Sequence, residues 1–223
     1  MKIRGLLFDF DGLLVDTESP SRLVWEELYR EHGFDLPHER WAGNVGTLDE
    51  PFEPLSHLEE LLGRGLDRTA LTERRRTREL ELIELEDLRP GVEDYLEEAE
   101  RRGLATGIVS SSSVEWIEPI LQRLERSHTW DTIVAADGDV ARAKPRPTLY
   151  LDALAALELE ADEAIAFEDS PNGVTAAKAA GIYSVAVPNP ITATLAFDEA
   201  DLVLESFADL PLPRLLERLE RDA

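Results

Sequence analysis

The stretch of sequence that decides the fold reads Leu6-Leu7-Phe8-Asp9-Phe10-Asp11-Gly12, an apolar run that ends in two carboxylates. The apolar run over residues 3–8 is typical of a buried strand. In an open parallel sheet, ligands collect beyond the carboxyl ends of the strands. Because side chains two apart in an extended segment point the same way, Asp9 and Asp11 could reach one ligand. Taken alone, the pair could equally cap a helix or lie in an ordinary loop.

Similar runs recur along the rest of the chain, with helical patterns between them. The predicted strands after the first cover residues 105–109, 132–135, 164–167, 183–187 and 202–204. The predicted helices cover residues 91–102, 112–126, 147–157, 171–180 and 210–221. This alternation predicts an α/β fold with a doubly wound, Rossmann-like parallel sheet.

Residues 16–87 interrupt the alternation, because they show helical patterns and turns but no convincing strand. We interpret them as an inserted helical cap domain, with residues 1–15 and 88–223 forming the α/β core domain. The chain would return to the core at the turn Leu88-Arg89-Pro90-Gly91. Within the cap, the run Glu73-Arg74-Arg75-Arg76-Thr77-Arg78 is more typical of a solvated helix face than of a binding patch.

The composition favours a globular protein and excludes several functional classes. The chain has 223 residues, of which 43% are apolar, which is enough for a core domain and a small second module. A formal charge of −24 opposes binding to nucleic acid or anionic membranes, since both require clustered Lys and Arg. No apolar stretch approaches the roughly 20 residues of a membrane helix. With no cysteine, neither disulfides nor thiolate chemistry is available. We therefore expect a cytoplasmic protein with neither a nucleic-acid nor a membrane partner.

Three further polar clusters follow predicted strands. Ser110-Ser111-Ser112-Ser113 can offer hydroxyl and N–H donors to a phosphate, although an ordinary helix N-cap would look the same. Lys144, one of three lysines, is followed by a proline that restricts its backbone. Glu168 and Asp169 form a second acidic pair, in Glu168-Asp169-Ser170-Pro171-Asn172-Gly173. Two carboxylate pairs at strand ends would repel one another unless a hard cation such as Mg²⁺ held them.

These four clusters, in this order, resemble the four motifs of the haloacid dehalogenase superfamily, and the resemblance spans nearly the whole chain. Three features together resemble one branch of the superfamily, which includes β-phosphoglucomutase and many small-metabolite phosphatases. They are the Asp16-Thr17 extension of the first motif, the lysine followed by proline, and the Glu-Asp-Ser-Pro-Asn-Gly motif over residues 168–173. The resemblance implies a Mg²⁺-dependent phosphatase. Its substrate would be a small phosphorylated metabolite, such as a sugar phosphate, and its intermediate an aspartyl-phosphate.

The resemblance also implies roles for the residues. Asp9 would be the nucleophile, and Asp11 would protonate the leaving oxygen and then activate water. Mg²⁺ would bind Asp9, the backbone carbonyl of Asp11 and Asp169, with Glu168 supporting it directly or through water. The transferring phosphoryl group would be bound by Ser110, Ser111 and Lys144.

Related chemistries can be compared residue by residue. Dehalogenases lack the second carboxylate of the first motif, so Asp11 argues against that activity. Phosphonate cleavage needs a cap lysine for a Schiff base, and residues 3–143 contain none. The alternative that remains is a mutase of the β-phosphoglucomutase type. Such mutases carry a histidine where Ser21 stands and a cap arginine after a Gly-rich turn, which here reads Gly43-Asn44-Val45-Gly46-Thr47. Both departures favour hydrolysis, although Arg40 or Arg64 could substitute.

Two other classes of protein fit less well. A receiver-type signalling domain also phosphorylates an Asp beside Mg²⁺ and a Lys, but its Asp follows the third strand and it has no cap. A catalytically silent binding protein would not need the complete set of site residues. Candidate contacts with the leaving group are Trp25, Trp41, Asn44 and Thr47, of which the tryptophans are more often explained by packing alone.

Overall fold

A six-stranded parallel sheet forms the centre of the molecule. The computed structural model describes residues 2–48, 52–126 and 129–222; residues 1, 49–51, 127–128 and 223 lie outside the described residues. The strands are β1 (Gly5–Phe8), β2 (Ala105–Ser110), β3 (Thr132–Ala135), β4 (Ala164–Glu168), β5 (Tyr183–Ala186) and β6 (Leu202–Val203). Their order is β3-β2-β1-β4-β5-β6, and all neighbours pair in parallel. The connections change direction around β1, so a ligand crevice is expected at its carboxyl end.

Helices cover both faces of this sheet. They are α5 (Val92–Arg102), α6 (Val114–Arg123), α7 (Thr148–Ala156), α8 (Pro171–Ala179) and α9 (Leu212–Asp222). Leu6 and Phe8 of β1 belong to the apolar cluster under α5, α6 and α9, whereas Leu7 belongs to the one under α7 and α8. Because both faces are buried, the strands are continuous apolar runs rather than alternating ones. The predicted doubly wound α/β sheet is confirmed.

The ends of the elements follow from local chemistry. The helix predicted over 112–126 begins at Val114, since the Ser113 side chain caps it by accepting a hydrogen bond from Trp116 N at 3.2 Å. Helix α8 begins at Pro171, directly after the N-cap Ser170. Among the helices that the structure describes, none combines the length and the apolar character that crossing a bilayer requires.

The described residues of the interval between β1 and α5, which was predicted as a helical cap, form four helices. They include no strand. The helices are α1 (Glu18–Glu31), α2 (His38–Ala42), α3 (Pro54–Leu62) and α4 (Arg68–Ile83). They share an apolar cluster of their own that includes Trp25, Tyr29, Trp41, Phe52 and Leu58. The inserted helical cap is confirmed.

The two chain crossings between cap and core lie side by side. Val15 pairs with Leu88 in an antiparallel bridge, and Arg89 N donates to Leu14 O at 2.8 Å. This pairing supports our proposal that the cap covers residues 16–87 and the core the remainder. Paired crossings of this kind are also where a cap can hinge.

Candidate active site

Asp9 and Lys144 meet at the carboxyl end of β1. Asp9 follows the strand directly, and its backbone N–H donates to Phe167 O at 3.0 Å, which fixes it against the end of β4. The Lys144 ammonium donates to Asp9 Oδ1 at 2.6 Å and lies 2.7 Å from Glu168 Oε1. Lys144 has no solvent exposure, and its ion-pair partners among the described residues are these two carboxylates. The structure thus brings three of the predicted site residues into direct contact.

Three carboxylates form a compact buried group beside this lysine. Asp9, Glu168 and Asp169 each offer an oxygen within 4.8 Å of the others. Glu168 Oε2 and Asp169 Oδ1 are buried without a hydrogen-bond partner among the described residues. Burial raises the pKa of Glu168 to about 8, with Lys144 opposing the shift and Asp9 adding to it. Burial and the charges of Asp9 and Glu168 raise the pKa of Asp169 well above its usual value. A bound divalent cation would satisfy both free oxygens and offset the repulsion, so these residues fit a metal site.

Polar side chains from the loop after β5 hold Asp169 in place. The Asn189 amide donates to Asp169 Oδ2 at 2.5 Å, and the Thr192 hydroxyl donates to Asp169 O at 2.6 Å. Asn189 Oδ1 in turn accepts from the backbone N–H groups of Ile191 and Thr192. One carboxylate oxygen of Asp169 is therefore fixed while the other stays available. Asn189 and Thr192 were missed from the sequence, where only the Pro188-Asn189-Pro190 turn after a strand could have indicated them.

Two further residues that were missed brace the acidic group. The Tyr150 hydroxyl donates to Glu168 Oε1, the oxygen that also faces Lys144. Arg89 donates to the carbonyl oxygens of Gly12, Val187 and Pro188 at 2.6 to 3.1 Å. Arg89 therefore ties the turn after Asp11 to the loop that carries Asn189.

The Asp11 carboxylate points away from the acidic group toward the end of β2. Its Oδ1 accepts hydrogen bonds from the Thr17 hydroxyl at 2.9 Å and the Trp116 indole N–H at 2.8 Å. Its Oδ2 accepts from the Ser112 hydroxyl at 2.5 Å and more weakly from Ser110 at 3.5 Å. Burial raises the pKa of Asp11, although the hydrogen bonds from Ser112 and Trp116 oppose the shift. A carboxyl group with a raised pKa can carry a proton and release it, as a general acid must.

The Asp11 side chain is therefore not part of the three-carboxylate group, and its role in proton transfer stays a prediction. A contact between Asp11 and a metal through its backbone carbonyl stays a prediction. The turn that allows this arrangement depends on Gly12, whose φ of 73° is left-handed. A Cβ at Gly12 would collide with Asp169 Oδ2 and the Asn189 amide nitrogen.

The serine run lies beside Asp11, where its members have different partners. Ser110 Oγ accepts from Ser112 N at 3.0 Å. The Ser111 hydroxyl donates to Gly46 O at 3.0 Å and accepts from Lys144 N at 3.2 Å, so it connects the cap to the lysine loop. Both Ser110 and Ser111 line the site cavity, and their binding of a phosphoryl group stays a prediction.

A cavity of about 430 Å³ opens between this floor and the cap, within the range of small-molecule sites. The four cap residues predicted to contact a leaving group, Trp25, Trp41, Asn44 and Thr47, all line it. Ser21 lines it as well. Arg40 and Arg64, the predicted substitutes for a mutase arginine, are not among the lining residues. The Arg40 guanidinium instead stacks over the Phe52 ring at 4.4 Å.

The interpretation of residues 73–78 as a solvated helix face needs one correction. Most of the run is exposed, but Arg75 and Glu79 line the cavity, with side chains 22% and 12% exposed. Residues four apart share one face of a helix, and here that face turns toward the core. A run of charged residues gives no sign of such a face in the sequence, because it lacks the regularly spaced apolar residues that usually mark the buried side of a helix.

The cap rests on the core through the loop after α2. The Asn172 amide donates to Val45 O at 2.8 Å, and Ser111 donates to Gly46 O. Gly46 has a φ of 79°, and a Cβ there would collide with the Ser170 hydroxyl. This close approach brings the cap loop against the core at residues that line the cavity.

Comparison with known proteins assigns the chain to a family. A family model for haloacid dehalogenase-like hydrolases matches residues 3–181. "Putative phosphatase YhcW" of Bacillus subtilis (strain 168) is 43% identical over 217 residues, which are 97% of this chain and 98% of the relative. Validoxylamine A 7'-phosphate phosphatase of Streptomyces hygroscopicus subsp. limoneus is 30% identical, over 94% of this chain and 96% of the relative.

A solved structure is also similar to this chain over nearly its whole length. CbbY from Rhodobacter sphaeroides, in complex with xylulose-(1,5)bisphosphate, has a TM-score of 0.72 and 28% identity. The match covers 93% of this chain and 96% of CbbY. The prediction from the four motifs is confirmed, and this chain belongs to the haloacid dehalogenase-like hydrolase family.

Proposed function

We propose that this chain is a Mg²⁺-dependent phosphatase, which transfers the phosphoryl group of a small phosphorylated metabolite, such as a sugar phosphate, first to Asp9 and then to water. The observation that carries the proposal is the buried group at the end of β1. There Lys144 holds one oxygen of Asp9, and two buried carboxylate oxygens beside it lack a hydrogen-bond partner in the part of the chain that the structure describes. The relatives YhcW and validoxylamine A 7'-phosphate phosphatase support this class of reaction by their names.

The first step forms a bond between a carboxylate oxygen of Asp9 and phosphorus. As the bond from phosphorus to the leaving oxygen breaks, the Asp11 carboxyl gives its proton to that oxygen. Lys144 stabilises negative charge on the transferring group, because its buried ammonium already lies 2.6 Å from Asp9 Oδ1. Mg²⁺, held by Asp9, Asp169, Glu168 and the Asp11 carbonyl, would supply the charge neutralisation that lets a carboxylate approach an anionic phosphoryl group.

The second step returns the enzyme to its starting state. The Asp11 carboxylate takes a proton from a water molecule, whose oxygen attacks phosphorus and breaks the bond to Asp9. The hydrogen bonds from Thr17 and Trp116 hold Asp11 in the orientation that both steps need. One residue thus serves as the acid in the first step and the base in the second.

A panel of phosphorylated metabolites, including β-glucose 1-phosphate, tests the proposal with and without Mg²⁺. Both free phosphate and isomerised sugar phosphate should be measured. We expect Mg²⁺-dependent release of phosphate from at least one sugar phosphate. Isomerised product with little free phosphate would instead show a mutase that works with Ser21 in place of the histidine and without the cap arginine.

Mg²⁺ binding should raise the melting temperature of the wild-type protein. At 100 times its Kd a ligand contributes about 2.7 kcal/mol, and for a chain of this size each kcal/mol corresponds to roughly 2–4 °C in Tm. Asp169→Asn should abolish this rise without lowering Tm in the absence of metal, because it removes one carboxyl group from a buried acidic group whose members repel one another when ionised. Differential scanning calorimetry checks both, with Asp152→Asn as a control on an exposed carboxylate. An undiminished Mg²⁺ response in Asp169→Asn would count against the metal site.

Gly173→Ala should lower kcat/KM by roughly 10²-fold, the cost typical of misplacing a site group by about 1 Å. Gly173 lies in the first turn of α8, and a Cβ there would collide with the Glu168 carboxylate. Gly65→Ala is the matched control, since the nearest atom to its added Cβ lies 3.8 Å away. Equal steady-state kinetics for the two variants would show that the position of Glu168 does not matter.

A further inference from the structure

The cap side of the cavity carries an unbalanced set of charges. Among the described residues that line it, the charged side chains contributed by the cap are Glu18, Glu53, Arg75 and Glu79. No lysine or histidine is among the lining residues. Lys144 lies below the floor and is already held by Asp9 and Glu168. Arg75 is therefore the one positive group of this described lining that a leaving group could meet.

Arg75 is already paired within its own helix. Its guanidinium lies 2.6 Å from Glu79 Oε2 and 5.0 Å from the centre of the Trp25 ring. The two charged side chains are largely buried, so solvent screens their attraction less than at an open surface. An anionic ligand that reached the remaining N–H groups of Arg75 would lie beside the Glu79 carboxylate, which already neutralises the charge of Arg75.

Glu18 is a second acidic residue that disfavours an anionic ligand in the cavity. It lines the cavity from the cap side, where burial and the charges of Asp11, Asp9 and Glu79 raise its pKa to about 8. In either protonation state Glu18 accepts hydrogen bonds and offers no positive charge. Hydroxyl groups of a ligand can donate to Glu18 and Glu79 and accept from Arg75. Among the described lining residues, a second phosphate or carboxylate would meet only a cation that Glu79 already neutralises.

We infer that the leaving group is an uncharged, hydroxyl-rich alcohol, so that the substrate is the monophosphate of a polyol or sugar without a second anionic group. The inference rests on the proposed function, because it assumes that the phosphoryl group lies beside Asp9 and Lys144. The inferred substrate, with one phosphate group, also differs from the bisphosphate with which CbbY was crystallised. Rejection of a second anionic group here comes from the carboxylates that line the cavity as much as from favourable contacts with hydroxyl groups.

The test compares two ligands that differ only at one end of a six-carbon chain. Glucitol 6-phosphate carries a hydroxyl where 6-phosphogluconate carries a carboxylate. Calorimetric titration of both into Asp9→Asn with Mg²⁺ measures binding without turnover. We expect glucitol 6-phosphate to bind about tenfold more tightly or better. Adding Glu79→Gln to that variant removes the carboxylate that neutralises Arg75. The ratio of the two dissociation constants should therefore fall by about tenfold.

Glu81→Gln, on the same helix, is the control, because Glu81 pairs with Arg78 at an exposed position and should leave the ratio unchanged. Equal or tighter binding of 6-phosphogluconate, or binding of neither compound, would overturn the inference. So would a ratio that Glu79→Gln leaves unchanged. Wild-type phosphate release, assayed in parallel, separates the two proposals: a retained preference without any Mg²⁺-dependent turnover would refute the phosphatase and leave the preference standing.

Discussion

Asp9→Asn should lower kcat/KM for phosphate release by about 10⁴-fold or more, as expected when the group that forms the covalent bond is removed. The amide has almost the same shape as the carboxylate but is a far weaker nucleophile toward phosphorus. The substitution also removes one of the three buried carboxylates and one of the two carboxylates that Lys144 faces. We therefore expect a folded protein with altered metal affinity and no measurable turnover.

Steady-state phosphate release and a thermal melt check this prediction together. The melt shows that the protein is folded, so that lost activity is not lost structure. Asp152→Asn, at an exposed ion pair with Arg142, should retain full activity. If Asp9→Asn lost less than about 10²-fold, a mechanism without a covalent bond to this residue would be indicated.

Asp11→Asn should slow turnover by about 10³-fold, within the range that general acid–base catalysis contributes. An amide at this position can still accept the Trp116 and Thr17 hydrogen bonds, so the local structure should persist. The variant can neither protonate an alkoxide nor activate water. Acetyl phosphate needs little protonation of its leaving group, so it should still phosphorylate Asp9 in this variant.

The phosphorylated form of Asp11→Asn should consequently accumulate, because its hydrolysis lacks a base. Rapid quenching in acid after mixing with acetyl phosphate, followed by intact mass measurement, shows how much of the protein carries a phosphoryl group. The wild type, which completes both steps, should show a smaller fraction. Dephosphorylation of Asp11→Asn at the wild-type rate would assign the base to another residue.

The sequence was most informative where one short segment carries both the strand and the reactive group. Asp9 and Glu168 stand at the ends of β1 and β4, and the apolar runs before them fix that position. Because parallel strands end at one edge of the sheet, the two carboxylates were expected to meet. The structure places them in one buried group with Asp169.

Residues that support these groups from elsewhere in the fold left weaker signals. Trp116 reads as an ordinary apolar residue of α6, and only the angle at which that helix packs directs its indole N–H to Asp11. Asn189 and Thr192 belong to a loop without periodicity. Their hydrogen bonds to Asp169 depend on how that loop folds back over the sheet.

The composition of the cap wall was the least predictable part of the site. Trp25 and Trp41 could be named because aromatic residues are conspicuous, whereas Arg75 was concealed within a run of charged residues. Which face of α4 meets the core depends on how the cap sits, and that is set by contacts such as those of Gly46 with Ser111. Such contacts between distant segments have no local pattern in the sequence.

The central claim is that Asp9 carries the phosphoryl group between substrate and water. The most direct measurement mixes the wild-type protein with Mg²⁺ and a substrate from the panel, quenches within the first turnover, and maps the phosphoryl group by peptide mass spectrometry. We predict a labelled peptide that contains Asp9, formed and lost at rates that match turnover. The label should be absent from Asp9→Asn. Full turnover without a phosphorylated residue, or with the phosphoryl group on any other residue, would contradict the claim.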